Sequence, residues 1–249
     1  MIKTAALNVN AVAKVDRPRL PAPVLEVSLG TDCSGLETVA TCLESLHVQV
    51  NHVFSCELNP KLREFIALRF SPSVLYPDMK MRNNSTHNPT EVNLDLYVVG
   101  LACQPFSKAG KNAGARDTKD GGRGNLFNYA ADWIENRLPK AFILESVENL
   151  IKQHTATFKR WLRTLRSMLG GAYNVYWRVL ATDEHGLPQR RRRVYIVGLR
   201  ADIQNGPFEF PEPVGTVDLN AVLDPAEPTD NPLTLPTTGT AAKNVMRAF

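Results

Sequence analysis

One stretch narrows the folds open to this chain more than any other. It is an apolar run, Leu94-Asp95-Leu96-Tyr97-Val98-Val99, followed at once by Gly100-Leu101-Ala102-Cys103-Gln104-Pro105-Phe106-Ser107-Lys108-Ala109-Gly110. A short β-branched and apolar run bounded by glycine reads as a buried strand. That strand carries Cys103 to its carboxyl end, the edge at which open α/β sheets place their ligands. Beyond Gly110 come Gly114, Gly121, Gly122 and Gly124, with Lys108, Lys111, Arg116, Lys119 and Arg123 among them. A connection this long and glycine-rich reads as a lid or binding loop. A cysteine beside a basic lid points to nucleophilic catalysis on an anionic substrate. The competing reading of Cys103 is a small buried hydrophobe, which is how free cysteines usually serve.

The chain before this stretch supplies a second functional unit. Val24 to Leu29 reads as a strand, Gly30-Thr31-Asp32-Cys33-Ser34-Gly35 as a turn, and Leu36 to Leu46 as a helix with Leu36, Val39, Ala40, Leu43 and Leu46 at helical spacing. Strand, glycine-bearing turn and helix is an arrangement that takes an adenosine cofactor, because glycine lets a ligand approach the backbone and the helix start offers free N–H groups. The next strand, His52 to Cys56, ends at Glu57, about 20 residues past the turn, where an acid would hold a ribose hydroxyl. A surface carboxylate is the other reading of Glu57. Pro60 opens a helix with Leu62, Phe65, Ile66 and Phe70 on its inner face, and Asp78-Met79 follows a third strand end. Residues 82–93 are polar and turn-rich, hence loop.

After the lid, Asn125 to Arg137 is a helix with Leu126, Ala130, Trp133 and Ile134 inward. Lys140 to Leu144 is a strand ending in Glu145-Ser146-Val147-Glu148-Asn149-Leu150. Glu145 thus lies at the same sheet edge as Cys103 and is a candidate proton donor, or else a capping carboxylate. Thr157 to Leu169 is amphipathic, with Phe158, Trp161, Leu162, Leu165 and Leu169 on one side and Lys159, Arg160, Arg163 and Arg166 on the other. Tyr173 to Ala181 is strand-like. Gln189-Arg190-Arg191-Arg192-Arg193 feeds the strand Val194 to Leu199, and alternation along it puts Arg191 and Arg193 on one face.

Together these pieces resemble the cytosine-C5 DNA methyltransferase family over about residues 24 to 200, in the family's order. Gly100-Leu101-Ala102-Cys103-Gln104-Pro105-Phe106-Ser107 is similar to its catalytic cysteine motif, Glu145-Ser146-Val147 to its Glu-Asn-Val motif, and Gln189-Arg190-Arg191-Arg192-Arg193 to its Gln-x-Arg-x-Arg motif. Gly124-Asn125-Leu126-Phe127 resembles the family's Gly-Thr-Leu-Phe. The resemblance implies an S-adenosylmethionine-dependent methyltransferase (Rossmann-like) α/β fold, with a mostly parallel sheet and helices on both faces. It gives Cys103 the role of nucleophile at cytosine C6, since a thiolate adding there makes C5 carbanion-like. It gives Glu145 the exocyclic amine and N3, Arg193 the base O2, and Arg191 a part in ordering the site. The implied cofactor is S-adenosylmethionine with no metal. Leu29, Gly30, Thr31, Asp32, Cys33, Ser34 and Gly35 would line its site, with Glu57 on the ribose. Leu58, Asp78, Met79 and Leu126 would surround the adenine. The implied partner is double-stranded DNA with the target cytosine flipped out. A catalytically weak regulatory homologue and an RNA cytosine-C5 methyltransferase are the rival readings.

The chain departs from the family at Ala102, where Pro is usual, at Ser146, where Asn is usual, and in the glycine turn, where Asp32, Cys33 and Ser34 stand. Only 50 residues follow Leu199, and Lys243-Asn244-Val245 is at best a shadow of the family's last motif, so the base-reading domain is expected to be short, missing, supplied by a separate chain or lost by truncation. Composition adds bounds. The 249 residues suit one large domain, or a domain with an appendage. No apolar run approaches the roughly 20 residues of a membrane helix. The four cysteines have no CxxC spacing that would suggest zinc. The net charge of +4 is concentrated in the lid and in Arg190 to Arg193, the footprint of a nucleic-acid binder. Residues 1–23 are expected to be a poorly ordered lead-in, 24–206 the catalytic core, and 207–249 a proline-rich tail or vestigial recognition segment. The expected location is intracellular: nuclear in a eukaryote, cytoplasmic in a bacterium or phage.

Overall fold

The computed structural model describes residues 25–80, 82, 91, 93–102, 104–106, 114–116 and 123–223. The expected lead-in, Cys103, most of the basic lid and the end of the tail, with Lys243-Asn244-Val245, lie outside the described residues. The described residues up to Thr216 belong to one compact unit, and Val217–Leu223 to another, in which Leu219–Ala221 makes a single 3-10 turn capped by Asp218.

The large unit is built on one seven-stranded sheet. Its strands are β1 (Glu26–Asp32), β2 (Gln49–Cys56), β3 (Val74–Tyr76), β4 (Leu96–Gly100), β5 (Ala141–Val147), β6 (Tyr173–Ala181) and β7 (Arg192–Arg200). The order across the sheet is β3-β2-β1-β4-β5-β7-β6, and β7 alone runs antiparallel to its neighbours. The helices are α1 (Thr38–Ser45), α2 (Pro60–Arg69), α3 (Leu126–Arg137), α4 (Asn149–Lys152) and α5 (Thr155–Ser167). From β1 the chain winds one way to β3, then returns to β4 and winds the other way to β5. Right-handed crossovers therefore place α1 and α2 on one face and α3 on the other. The reversal between β1 and β4 opens a crevice at their carboxyl ends.

The core sits where β1, β2 and β4 meet α3. Trp133 of α3 stacks on Tyr97 of β4, with ring centroids 4.1 Å apart, and meets Phe54 of β2 at 5.4 Å. The sheet is packed closely enough to forbid side chains at two glycines. A Cβ on Gly30 would lie 2.3 Å from the Phe54 ring, and one on Gly198 2.1 Å from the Phe142 ring. On the same side as α3, Phe127 lies flat against Trp161 of α5 at 4.4 Å and 4°.

Several elements differ from the sequence expectation. Helix α1 begins only at Thr38, because the backbone turns left-handed at Cys33, Gly35 and Glu37 first. Leu36 and Leu46 are therefore exposed, and Ala40 is the residue α1 buries. In α2, Asn59 caps the Lys61 N–H and Pro60 starts the helix as expected, but Ile66 alone is buried and Phe65 is 42% exposed. A ten-residue helix lying on the sheet's flank has room to bury only a narrow stripe. Helix α5 starts two residues earlier and buries Phe158, Trp161, Leu162 and Leu165, while Leu169 falls beyond its end in a left-handed turn and is half exposed. The proline-rich stretch from Pro207 begins as an extended segment within the large unit. Phe208 packs on Tyr176 of β6 at 5.2 Å, and Val214 donates its N–H to Glu184 O.

Candidate active site

A cleft of about 890 Å³ opens at the reversal point, within the size range of small-molecule sites. The turn after β1 forms one wall. Three left-handed residues within five positions are costly wherever the residue carries a Cβ, as Cys33 and Glu37 do. Ser34 holds this winding in place. Its N–H donates to Cys56 O at 3.1 Å, and its hydroxyl accepts from the Cys56 N–H at 3.1 Å, so the turn is stapled to the end of β2. Gly35 has φ +58, and the space where its Cβ would stand is open.

Glu57 follows β2 and is oriented by backbone groups. One carboxylate oxygen accepts from the Gly35 N–H at 2.9 Å, the other from the Asn59 N–H at 2.8 Å. Each oxygen keeps a lone pair for a ligand hydroxyl. Leu58, Met79 and Leu126 give the cleft apolar walls, and Asp78 a carboxylate. Cys33 also faces the cleft, with Sγ 3.8 Å from Met79 Sδ. Burial pushes its thiol pKa far up, and the negative charges of Asp32, Glu57 and Asp78 push it further. Cys33 is therefore an uncharged wall and no nucleophile.

Two buried networks lie behind this wall. Asp32 takes both Arg82 guanidinium arms, at 2.9 and 2.8 Å, and the Tyr97 hydroxyl. The Arg82 guanidinium in turn lies over Phe54, Tyr76 and Trp133 at 4.9, 5.6 and 5.5 Å. The second network surrounds Glu37, which is fully buried. Its Oε2 accepts from Thr31 Oγ1 at 2.9 Å and Ser55 Oγ at 2.7 Å, and Ser55 also lies 2.8 Å from His52 Nε2. Oε1 finds no partner among the described residues. Burial raises the Glu37 pKa against these hydrogen bonds, and burial pushes His52 down to about 4.

The other wall is built by β5 and β7. Gly100 pairs with Glu145 across β4 and β5, and the Leu101 N–H donates to Glu145 O at 3.0 Å. Glu145 Oε1 lies 2.9 Å from Arg193 Nε and 3.5 Å from Arg191 Nη2. The antiparallel β7 brings these arginines in. Val147 pairs with Arg193, so the start of β7 lies level with the end of β5. Tyr195, opposite Glu145, lines the same wall, and burial with the Glu145 charge raises its pKa.

Of the residues singled out from sequence, Thr31 to Gly35, Glu57, Leu58, Asp78, Met79, Leu126, Glu145, Arg191 and Arg193 all line this cleft. Leu29 is wholly buried in β1, and Gly30 is closed off by Phe54 and Leu94, so neither is among the lining residues. Both lie deeper in β1 than Thr31 and Asp32, the last two residues of that strand, which do reach the cleft. Cys103 lies outside the described residues, but Ala102 and Gln104 on either side of it line the cleft. Sequence reading missed Glu37, Lys80, Gln104, Gln189 and Tyr195 as lining residues. Gln104 and Gln189 were within reach, since each sits inside a motif already marked. Among the described residues no group of three or more His, Cys, Asp or Glu is placed to hold a metal ion, and no helix is long and apolar enough to cross a membrane.

Comparison with known proteins bears on the family and the fold. A family model described as C-5 cytosine-specific DNA methylase matches residues 32–244. The type II methyltransferase M.NgoBI of Neisseria gonorrhoeae is 45% identical over 121 residues, which cover 48% of this chain and 35% of the relative. M.HpaII of Haemophilus parainfluenzae is 34% identical over 168 residues, covering 66% and 44%. This chain thus spans less than half the length of either relative. Among solved structures, a variant of Spodoptera frugiperda DNMT2 superposes with a TM-score of 0.60 at 18% identity, over 81% of this chain and 60% of that one. S. pombe Dnmt2 methyltransferase gives 0.53 at 17%, over 74% and 52%. At such identities the likeness is one of fold, here the Rossmann-like methyltransferase fold. With the family model spanning most of its length and the cleft at the sheet's reversal point, this chain belongs to the C-5 cytosine-specific DNA methylase family.

Proposed function

We propose that this chain transfers a methyl group from S-adenosylmethionine to C5 of a cytosine in DNA, through a transient bond between Cys103 and C6 of a flipped base. One observation carries the reading. A single cleft holds both an adenosine-type half (Gly35, Glu57, Asp78, Met79) and the Glu145–Arg191–Arg193 cluster, beside the two neighbours of Cys103.

The cleft fits the cofactor chemically. Glu57 is held by two backbone N–H groups with lone pairs to spare for a ribose diol. Leu58, Met79 and Leu126 offer flat apolar contact for an adenine, and Asp78 an acceptor for its amine. The bound cofactor supplies an electrophilic methyl group. Cys103, as thiolate, adds to C6 and pushes electron density to C5. Glu145 holds N3 and the exocyclic amine, and Arg193, fixed by its ion pair with Glu145, meets O2. Charge placed on the ring in this way meets fixed groups that need no rearrangement. After transfer a base removes the C5 proton, and the thiolate leaves from C6. The target must leave the duplex for these contacts to form.

The test is transfer of labelled methyl from S-adenosylmethionine to duplex DNA, with RNA of the same sequence alongside. Transfer to DNA that disappears in Cys103→Ala is expected. Transfer to RNA alone, or to neither polymer while the cofactor still binds, would overturn the proposal.

A further inference from the structure

We infer that Asn149 is the residue that positions the cysteine loop, and this rests on the proposed role of Cys103. Asn149 begins α4, four residues past Glu145. It is 9% exposed, and its Nδ2 donates to Phe106 O at 2.7 Å, a buried bond between segments 43 residues apart. The loop from Leu101 to Phe106 is thereby tied at both ends to one stretch of chain. Leu101 N–H meets Glu145 O before the cysteine, and Phe106 O meets Asn149 after it.

The second anchor is reinforced from three sides. The Phe106 ring is 2% exposed, and both His154 at 5.2 Å and Trp161 at 5.4 Å meet it edge to face. Gly114, at the return of the lid, donates its N–H to Pro105 O at 2.7 Å. A Cβ on Gly114 would lie 2.8 Å from His154 Nδ1, so the return is fitted closely. Ser146 of the same stretch is buried, and its hydroxyl finds no partner among the described residues. Among the described residues, Asn149 supplies a side-chain bond from this stretch to the loop. Its consequence is that Glu145, which would hold the base, and Cys103, which would attack it, share one frame. An attacking atom misplaced by about 1 Å loses on the order of a hundredfold in rate.

The test compares the full chain with Asn149→Asp, which keeps the shape and loses the donor, and with Asn149→Ala. DNA carrying 5-fluorocytosine reports the rate of adduct formation. S-adenosylmethionine affinity and melting temperature report the fold. Iodoacetamide labelling of Cys103, read by peptide mass, reports the thiol without any substrate. The inference expects both variants to slow adduct formation tenfold to a hundredfold while cofactor affinity stays within twofold, and to change the Cys103 labelling rate at least threefold. An adduct rate equal to wild type would overturn it, as would losses of affinity and melting temperature that match the loss of rate. If wild type forms no adduct at all, the reading of Cys103 fails. Unchanged labelling in the variants would then dismiss Asn149 separately.

Discussion

Asp32 ends β1, just before the turn in which the resembled family is richer in glycine, and its side chain explains how the chain tolerates it. Both carboxylate oxygens are used inside the protein, on the two arms of Arg82 and the Tyr97 hydroxyl. Arg82 is 50 residues away, so no spacing rule could have found the pair. Breaking such a pair is costly because a buried charge is left behind, whereas replacing both members often is not. Asp32→Ala is expected to lower stability by about 3–5 kcal/mol in urea unfolding at neutral pH. Asp32→Ala with Arg82→Met, whose thioether fits among Phe54, Tyr76 and Trp133, is expected to lose less than Asp32→Ala alone. Additive losses would contradict this account of the pair. By contrast Glu57, Glu145, Arg191 and Arg193 were readable from sequence, because each sits at a strand end where the side chain has one direction to go. Leu29 and Gly30 were not separable from the turn in sequence. The Phe54 ring against Gly30 closes that part of β1, and the cleft begins at Thr31 and Asp32, the strand's last two residues.

Elements meet through the Glu37 network, which ties β1 by Thr31, β2 by Ser55 and His52, and the start of α1. Its two titrating members pull in opposite directions. Glu37 has a raised folded pKa, so its stabilisation belongs to low pH and is lost as pH rises. His52 is held neutral, at about 4 against its ordinary 6.5, mainly by burial and against the nearby Glu44 charge. The unfolded chain therefore takes up the His52 proton first on acidification, and stability is lost as pH falls from about 6.5 toward 4. The expected loss from His52 is up to about 1.4 kcal/mol per pH unit within that window. His52→Gln should flatten the pH dependence of stability between 6.5 and 4 relative to wild type, while the Glu37 contribution remains in both. Superimposable profiles would contradict it. The strands and the longer helices were legible from periodicity, including Trp133 and the Phe158–Leu165 face as core, whereas the single turn of α4 was not. The late start of α1 was not, since a left-handed Glu37 has no signature in sequence, and Leu36 looked like one more apolar helical position.

Across the whole molecule, the sheet order puts the turn after β1, the loop after β4 and the end of β5 around one crevice. The half of the cleft proposed for the cofactor comes from β1 and β2, and the half proposed for the base from β5 and β7. The antiparallel β7 is what returns Arg191 and Arg193 to the carboxyl edge, and a parallel strand there would carry them to the opposite end. Motif order alone indicated which residues gather, but not that Glu145 would bind both arginines, because that depends on the β5–β7 register. The proposed transfer requires Cys103 as nucleophile, and covalent trapping measures this most directly. Purified protein, S-adenosylmethionine and duplex DNA containing 5-fluorocytosine should give a complex that survives denaturation, because fluorine at C5 blocks the final elimination. The complex should be lost in Cys103→Ala. No complex with wild type, or one that persists in Cys103→Ala, would contradict the central claim.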